Sequence, residues 1–155
     1  MIRITDQYFW NFVFGLFFFL LVVLGTIILD TETRIPFNEL TIVDYALITL
    51  ASWRVTQLFV YDTITKFIRE QFYDIKKVGK SSSLVKPSTG PRRTLADLFS
   101  CPWCMGLWSA ASVTFFYLLF PLFQYFAIFL SIAAVATFLQ LLTNLVGNTA
   151  QKIKE

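Results

Sequence analysis

The sequence predicts an all-α, polytopic integral membrane protein of about four transmembrane helices, with an amphipathic helix and a flexible basic loop on the cytoplasmic side. Three observations carry this prediction. Hydrophobic residues make up 56% of the 155 residues and charged residues only 15%, far from the average of soluble domains. The apolar residues gather in four stretches close to the roughly 20 residues a helix needs to cross a bilayer. Eight of the 13 lysines and arginines lie between the second and third of these stretches.

The first stretch, 9–29, carries no charge and has only Asn11 and Thr26 as clearly polar side chains. Arg3 precedes it, as in a secretory signal, but the apolar run outlasts a signal core and no small-x-small cleavage site follows, so it reads as a retained span. The second stretch, 44–61, is bracketed by Asp44 and Asp62 and has Arg54 in its middle. Arginine at mid-bilayer costs about 2.5 to 3.5 kcal/mol on insertion scales, so Arg54 is expected to face protein or water.

The third and fourth stretches, 101–120 and 123–146, are separated by Pro121 and Leu122, a connection so short that they form an antiparallel hairpin. Trp103, Trp108, Tyr117 and Tyr125 fall near their ends, where amphipathic rings favour the membrane interface. The third stretch reaches spanning length only if the turn at Cys101 to Cys104 is itself helical.

Charge sets the expected orientation. The segment from Asp62 to Asp97 holds Lys66, Arg69, Lys76, Lys77, Lys80, Lys86, Arg92 and Arg93, whereas the first connection holds Asp30, Glu32, Glu39 and Asp44 against Arg34. By the positive-inside rule the long segment is cytoplasmic. Both termini follow it there, in keeping with Arg3, Lys152 and Lys154. The expected location is the cytoplasmic membrane of a bacterium.

Within that segment Ile64, Phe67, Ile68, Phe72 and Ile75 recur at helical spacing among Lys66, Arg69, Glu70, Asp74 and Lys76, which predicts an amphipathic helix over 62–76 on the inner leaflet. From 77 to 95 the chain is rich in Ser, Pro, Gly and basic residues and reads as a flexible loop. Its charge suits anionic lipid head groups, at about 1 kcal/mol per basic residue near the surface. No nucleic-acid partner is expected. Beyond the lipid bilayer, the remaining partner readings are a second copy of the chain or another membrane protein.

Cys101-Pro102-Trp103-Cys104 contains both cysteines. Ser100 or Cys101 suits the cap of the following helix and Pro102 its first turn. A thiol at a helix N-terminus has its thiolate stabilised by free N–H groups and the helix dipole. The pair therefore leaves three readings open: a structural helix start, thiol-disulfide exchange, and a metal site. Structural zinc takes four ligands, so two thiols would need a second chain or a carboxylate such as Asp97. The chain has no histidine, which removes triads and imidazole relays, and its six glycines form no phosphate loop. No cofactor is expected.

A second constellation is Arg54, Thr56, Asp62 and Arg69. Asp62 and Arg69 share one helix face, while Arg54 lies about 80 degrees round the axis from Asp62, so a direct pair within one helix is not expected. Gln140, Thr143 and Asn144 on the fourth stretch are the candidate partners of Arg54, with depth favouring Gln140.

ASWRVTQLFVYDTITKFIRE, a basic loop and then LADLFSCPWCMGLWSA together resemble a family of small bacterial integral membrane proteins that includes the spore-formation proteins YjcA and YngL. The resemblance covers roughly 47–110 and is most specific at Arg54, Thr56, Asp62 and the Cys-Pro-Trp-Cys run with Gly106 and Trp108. It implies a bacterial cytoplasmic-membrane protein linked in some members to sporulation, with no assigned activity. It also implies that Arg54, Asp62, Arg69, Cys101 and Cys104 act as one unit. Asp62, Arg69 and Asp97 are then expected around the two thiols, with Arg69 favouring thiolate. The reading that joins these expectations is a non-enzymatic accessory or scaffold, with a thiol redox protein or sensor and a metal-bridged oligomer as alternatives.

Overall fold

A computed structural model of the chain describes residues 6–32, 39–78 and 81–154. Among them it forms six α-helices: α1 (Asp6–Glu32), α2 (Ile42–Val60), α3 (Lys66–Glu70), α4 (Pro91–Ser100), α5 (Pro102–Leu119) and α6 (Pro121–Lys154). A 3-10 turn at Thr63–Thr65 precedes α3, and a two-stranded hairpin, β1 (Asp74–Val78) and β2 (Ser81–Val85), follows it. α1, α5 and α6 are long and apolar enough to cross a membrane. α2 is not among these three, because Asp44, Thr49, Ser52, Arg54, Thr56 and Gln57 dilute its apolar residues.

α2 sits between α5 and α6. It starts with a capping box, in which the Thr41 hydroxyl accepts the Asp44 N–H and the Asp44 carboxylate accepts the Thr41 N–H at 2.9 Å. Lipid tails are as apolar as leucine, so helices in a bilayer are held by close packing and hydrogen bonds rather than by expulsion of water. The buried positions fit that physics. Ala51 on α2 and Ala127 and Ala134 on α6 have no exposed surface, and their small side chains let backbones approach. Ser131 on α6 donates its hydroxyl to the Leu47 carbonyl of α2 at 2.9 Å. Leu29, Ile48, Val113, Tyr117, Leu118 and Leu130 complete the core.

α1 leans on α5 and α4 rather than on α2. Phe18 meets Trp108 with ring centres 4.8 Å apart. At the start of α1, the Gln7 side-chain amide donates to Thr94 of α4 at 2.9 Å, and the Thr94 hydroxyl donates to Asn11 at 3.1 Å. The N-terminal end of α1 and the α4 segment therefore lie at the same end of the bundle as the start of α5.

The segment between α2 and α5 departs from the expected single amphipathic helix over 62–76. Helix α3 stops at Glu70, and β1 pairs antiparallel with β2, with Asp74 opposite Val85 and Ile75 opposite Leu84. The cause is tertiary: Phe72 stacks on Phe99 of α4 with ring centres 5.4 Å apart, and Arg92 donates to the Gln71 carbonyl at 2.9 Å while pairing with Asp74 at 3.2 Å. These contacts hold the chain where a helix would have carried it away. The expected flexible loop over 77–95 likewise contains β2 and the first half of α4. Gly90 precedes α4 with φ of 100°, a conformation open to glycine, and Pro91 sets the first helical φ.

Candidate functional site

The expected polar cluster divides into two groups. The first surrounds the end of α2. A helix leaves its last carbonyls without intrahelical donors, and here side chains from the following segment supply them. Arg69 donates through Nη1 to the Val60 carbonyl and through Nη2 to the Asp62 carbonyl, the latter at 3.1 Å. Thr65 donates its hydroxyl to the Leu58 carbonyl. The Asp62 carboxylate pairs with Arg54 Nη2 at 2.9 Å, with side chains 31% and 17% exposed.

That pair corrects the expectation from helical spacing. α2 ends at Val60 and Asp62 has extended backbone, with ψ of 144°, so the chain turns and brings its carboxylate back toward Arg54. The angle around a continuous helix no longer applies. The expected partners Gln140, Thr143 and Asn144 are exposed, and the Thr143 hydroxyl donates to Leu139 of its own helix. Arg54 Nη1 is buried without a hydrogen-bond partner among the described residues.

Thr56 belongs to another contact. It is buried, donates its hydroxyl to the Ser52 carbonyl at 2.9 Å, and lies 3.9 Å from where a Cβ at Gly106 would stand. It packs on the first turns of α5, just beyond the cysteines.

The second group is centred on Asp97 of α4, which pairs with Lys86 at 2.8 Å and with Arg93 at 3.6 Å. Neither partner was named from the sequence. Arg93 stands four residues before Asp97, a spacing at which helical charges meet, so that pair was legible once α4 was recognised.

Cys101 is the cap of α5, with Pro102 at the first helical position. Its sulfur accepts the Cys104 N–H at 3.3 Å, and the Cys104 thiol donates to the same sulfur at 2.7 Å. Both thiols are free, with Cys101 partly buried and Cys104 exposed. The Cys104 thiol and backbone N–H hold the Cys101 thiol below its ordinary pKa, while the Asp97 carboxylate works in the opposite direction. Arg69, expected beside the thiols, is instead engaged at the end of α2. Ser100 is not the cap. It donates to the Ala96 carbonyl and shares a 3.0 Å hydrogen bond with the Tyr73 hydroxyl.

Chemically, the thiol pair can exchange electrons or bind a soft ion. Among the described residues no three Cys, Asp or Glu side chains are grouped to hold a metal. Two thiolates are half of a tetrahedral set, so a zinc ion would need two further ligands, such as the same pair from a second chain.

Comparison with known proteins agrees with the resemblance read from the motifs. The chain is 32% identical over 84 residues to UPF0713 protein YngL of Bacillus subtilis (strain 168), covering 54% of this chain and 65% of YngL. It is 32% identical over 113 residues to Sporulation protein YjcA of the same organism, covering 69% of this chain and 93% of YjcA. No solved structure matches the chain. Residues 47–143, which hold most of α2, its capped C-terminal end, the thiol pair and most of α6, match the family described as protein of unknown function DUF1360, and the chain belongs to that family.

Proposed function

We propose that the chain is a non-enzymatic accessory or scaffold protein of the bacterial cytoplasmic membrane, with four crossings and both termini inside. The observation that carries this reading is that the charged groups of this cluster are directed at the chain itself, one pair between side chains and the other contacts to backbone carbonyls. Arg54 meets Asp62, and Arg69 holds the carbonyls of Val60 and Asp62. A transport pathway or catalytic centre would need such groups directed at a substrate.

α2 supplies the fourth crossing. Its 19 residues rise about 28 Å, near the thickness of the hydrocarbon core. Thr49, Ser52 and Thr56 return their hydroxyls to carbonyls of their own helix, which reduces the cost of crossing. The basic segment sets the orientation. Anionic head groups are its proposed partner, supported by the excess of basic residues between α2 and α5. The name of the relative YjcA makes spore formation the process in which the role is to be sought.

A second reading is a thiol redox protein or sensor, favoured by the 2.7 Å sulfur contact and the exposure of Cys104. Joining the sulfurs would release two protons and pass two electrons to a quinone or a second disulfide.

Replacing both cysteines with serine separates the readings. A scaffold keeps its wild-type phenotype in a strain lacking the native gene, at unchanged membrane abundance. Loss of the phenotype at equal abundance rejects the scaffold and favours the thiol reading. A reporter fused to the C-terminus tests the topology, and a reporter active only outside the membrane overturns the four-crossing arrangement.

A further inference from the structure

Helix α6 carries a stripe that its own bundle leaves open. Ala133, Thr137, Gln140, Asn144, Gly147 and Gln151 follow one another at spacings of four, three, four, three and four residues. That is the 3.5-residue period of a left-handed helix pair, and every position is small or polar. The stripe lies about a third of a turn from the face formed by Ala127, Leu130, Ser131 and Ala134, which packs on α2. Gln140, Asn144, Gly147 and Gln151 are exposed.

Depth makes this exposure significant. Ser131 bonds to Leu47, and Phe138 meets Trp53 with ring centres 6.3 Å apart, so α2 and α6 run in the same direction. Gln140 stands two residues past Phe138, whereas α2 continues seven residues past Trp53 to Val60. At 1.5 Å per residue, Gln140 is about 7.5 Å short of the level where α2 ends. With α2 as the proposed fourth crossing and its end at the membrane boundary, the Gln140 amide lies within the apolar zone and Asn144 at its edge. Thr137 and Thr143 return their hydroxyls to carbonyls of α6, but neither amide meets a partner among the described residues. Lipid tails offer a side-chain amide no hydrogen bond.

We infer that α6 is the seam of a parallel homodimer, in which Gln140 and Asn144 bond across the interface to the same residues of a second copy. An amide is both donor and acceptor and so is complementary to itself. Two copies inserted in the same orientation about an axis along the membrane normal bring each residue to its counterpart at equal depth. Ala133 and Gly147 let the backbones close around the amides, as small residues do in membrane helix pairs. The seam rests on α2 being the fourth crossing, and is independent of the accessory role and of the cysteines.

Disulfide cross-linking of the full chain in membrane vesicles tests the seam. Single cysteines are introduced at Gln140, Asn144 and Gly147, and at Val135 and Leu142 on the opposite side of α6, in a chain with Cys101→Ser and Cys104→Ser. Copper phenanthroline is expected to give a product of twice the chain mass from the three stripe positions and not from Val135 or Leu142. Equal cross-linking on both sides, none at the stripe, or a product of another mass overturns the seam. A second measurement keeps both native cysteines: subunit counting by photobleaching of the fluorescently tagged chain, with and without Gln140→Leu and Asn144→Leu. Leucine preserves insertion, and each substitution is expected to weaken the dimer about threefold to thirtyfold. A wild-type monomer, or a double variant as dimeric as wild type, overturns the proposal.

Discussion

Tyr117, near the end of α5, donates its hydroxyl to the Asp44 carboxylate at the start of α2 across 2.5 Å. The same carboxylate accepts the Thr41 N–H and so completes the α2 cap. One acidic side chain therefore stabilises a helix start and ties it to the neighbouring helix. The Tyr117 ring is 2% exposed and belongs to the buried cluster that includes Leu29 and Ile48, so the polar link is screened by packing on one side.

Tyr117→Phe keeps the ring and removes this link. The expected loss is about 1.5 to 3 kcal/mol, the range for hydrogen bonds to charged groups. Equilibrium unfolding in mixed detergent micelles measures it, and a midpoint equal to wild type would mean that the contact contributes nothing.

Asp62→Asn leaves Arg54 without its counter-charge while keeping nearly the same shape. Removing one partner of a partly buried pair is worse than removing both, so Asp62→Asn is expected to cost about 2 kcal/mol, and the Arg54→Leu and Asp62→Asn double variant less. A double-mutant cycle reads the coupling. Additive losses would show that the two side chains do not act as a pair.

Alkylation of Cys101 against pH reports the field at the head of α5. The thiolate is the reacting form, and its pKa is held below the free value by the Cys104 thiol and N–H and raised by Asp97. Cys104→Ala removes the thiol donor, so the reactivity curve should move to higher pH. Asp97→Asn removes a negative charge, so in the otherwise native chain the Cys101 curve should move to lower pH. A shift in the reverse direction in either variant would contradict the assigned causes.

Gly90→Ala places a side chain at φ of 100° before α4. Such backbone costs about 1 to 3 kcal/mol for a residue other than glycine. The start of α4 should fray, and amide exchange over 91–100 should accelerate while α5 is unchanged. Unaltered exchange would mean that the turn relaxes without strain.

Local composition accounts for much of the architecture. The uninterrupted apolar run of α1 and the hairpin at Pro121 were legible because helix length and hydropathy depend on consecutive residues alone. The segment after α2 was not legible in the same way. Ile64, Phe67, Ile68, Phe72 and Ile75 have helical spacing, but Phe72 is claimed by Phe99, 27 residues away, and Asp74 by Arg92. Periodicity records which residues are apolar and not which distant ring they will meet.

The candidate site divides along the same line. Arg54, Asp62, Arg69, Asp97, Cys101 and Cys104 stood out as charges and thiols out of keeping with an apolar chain, and the capping role open to Cys101 followed from Pro102 and the helix beyond it. The sequence by itself thus determined the three long apolar helices, the basic segment between α2 and α5 and the family motif, because these are properties of neighbouring residues. Only the tertiary structure decided that Arg54 meets Asp62, that Arg69 closes α2 rather than attending the thiols, and that Asp97 turns to Lys86 and Arg93. The Arg54 and Arg69 contacts depend on where the chain bends at Tyr61 and Asp62, and the Lys86 contact on where the hairpin returns to α4. The bend at Tyr61 and Asp62 is held by side chains reaching back to carbonyls, a set of hydrogen bonds across a break in the helix that helical spacing does not encode.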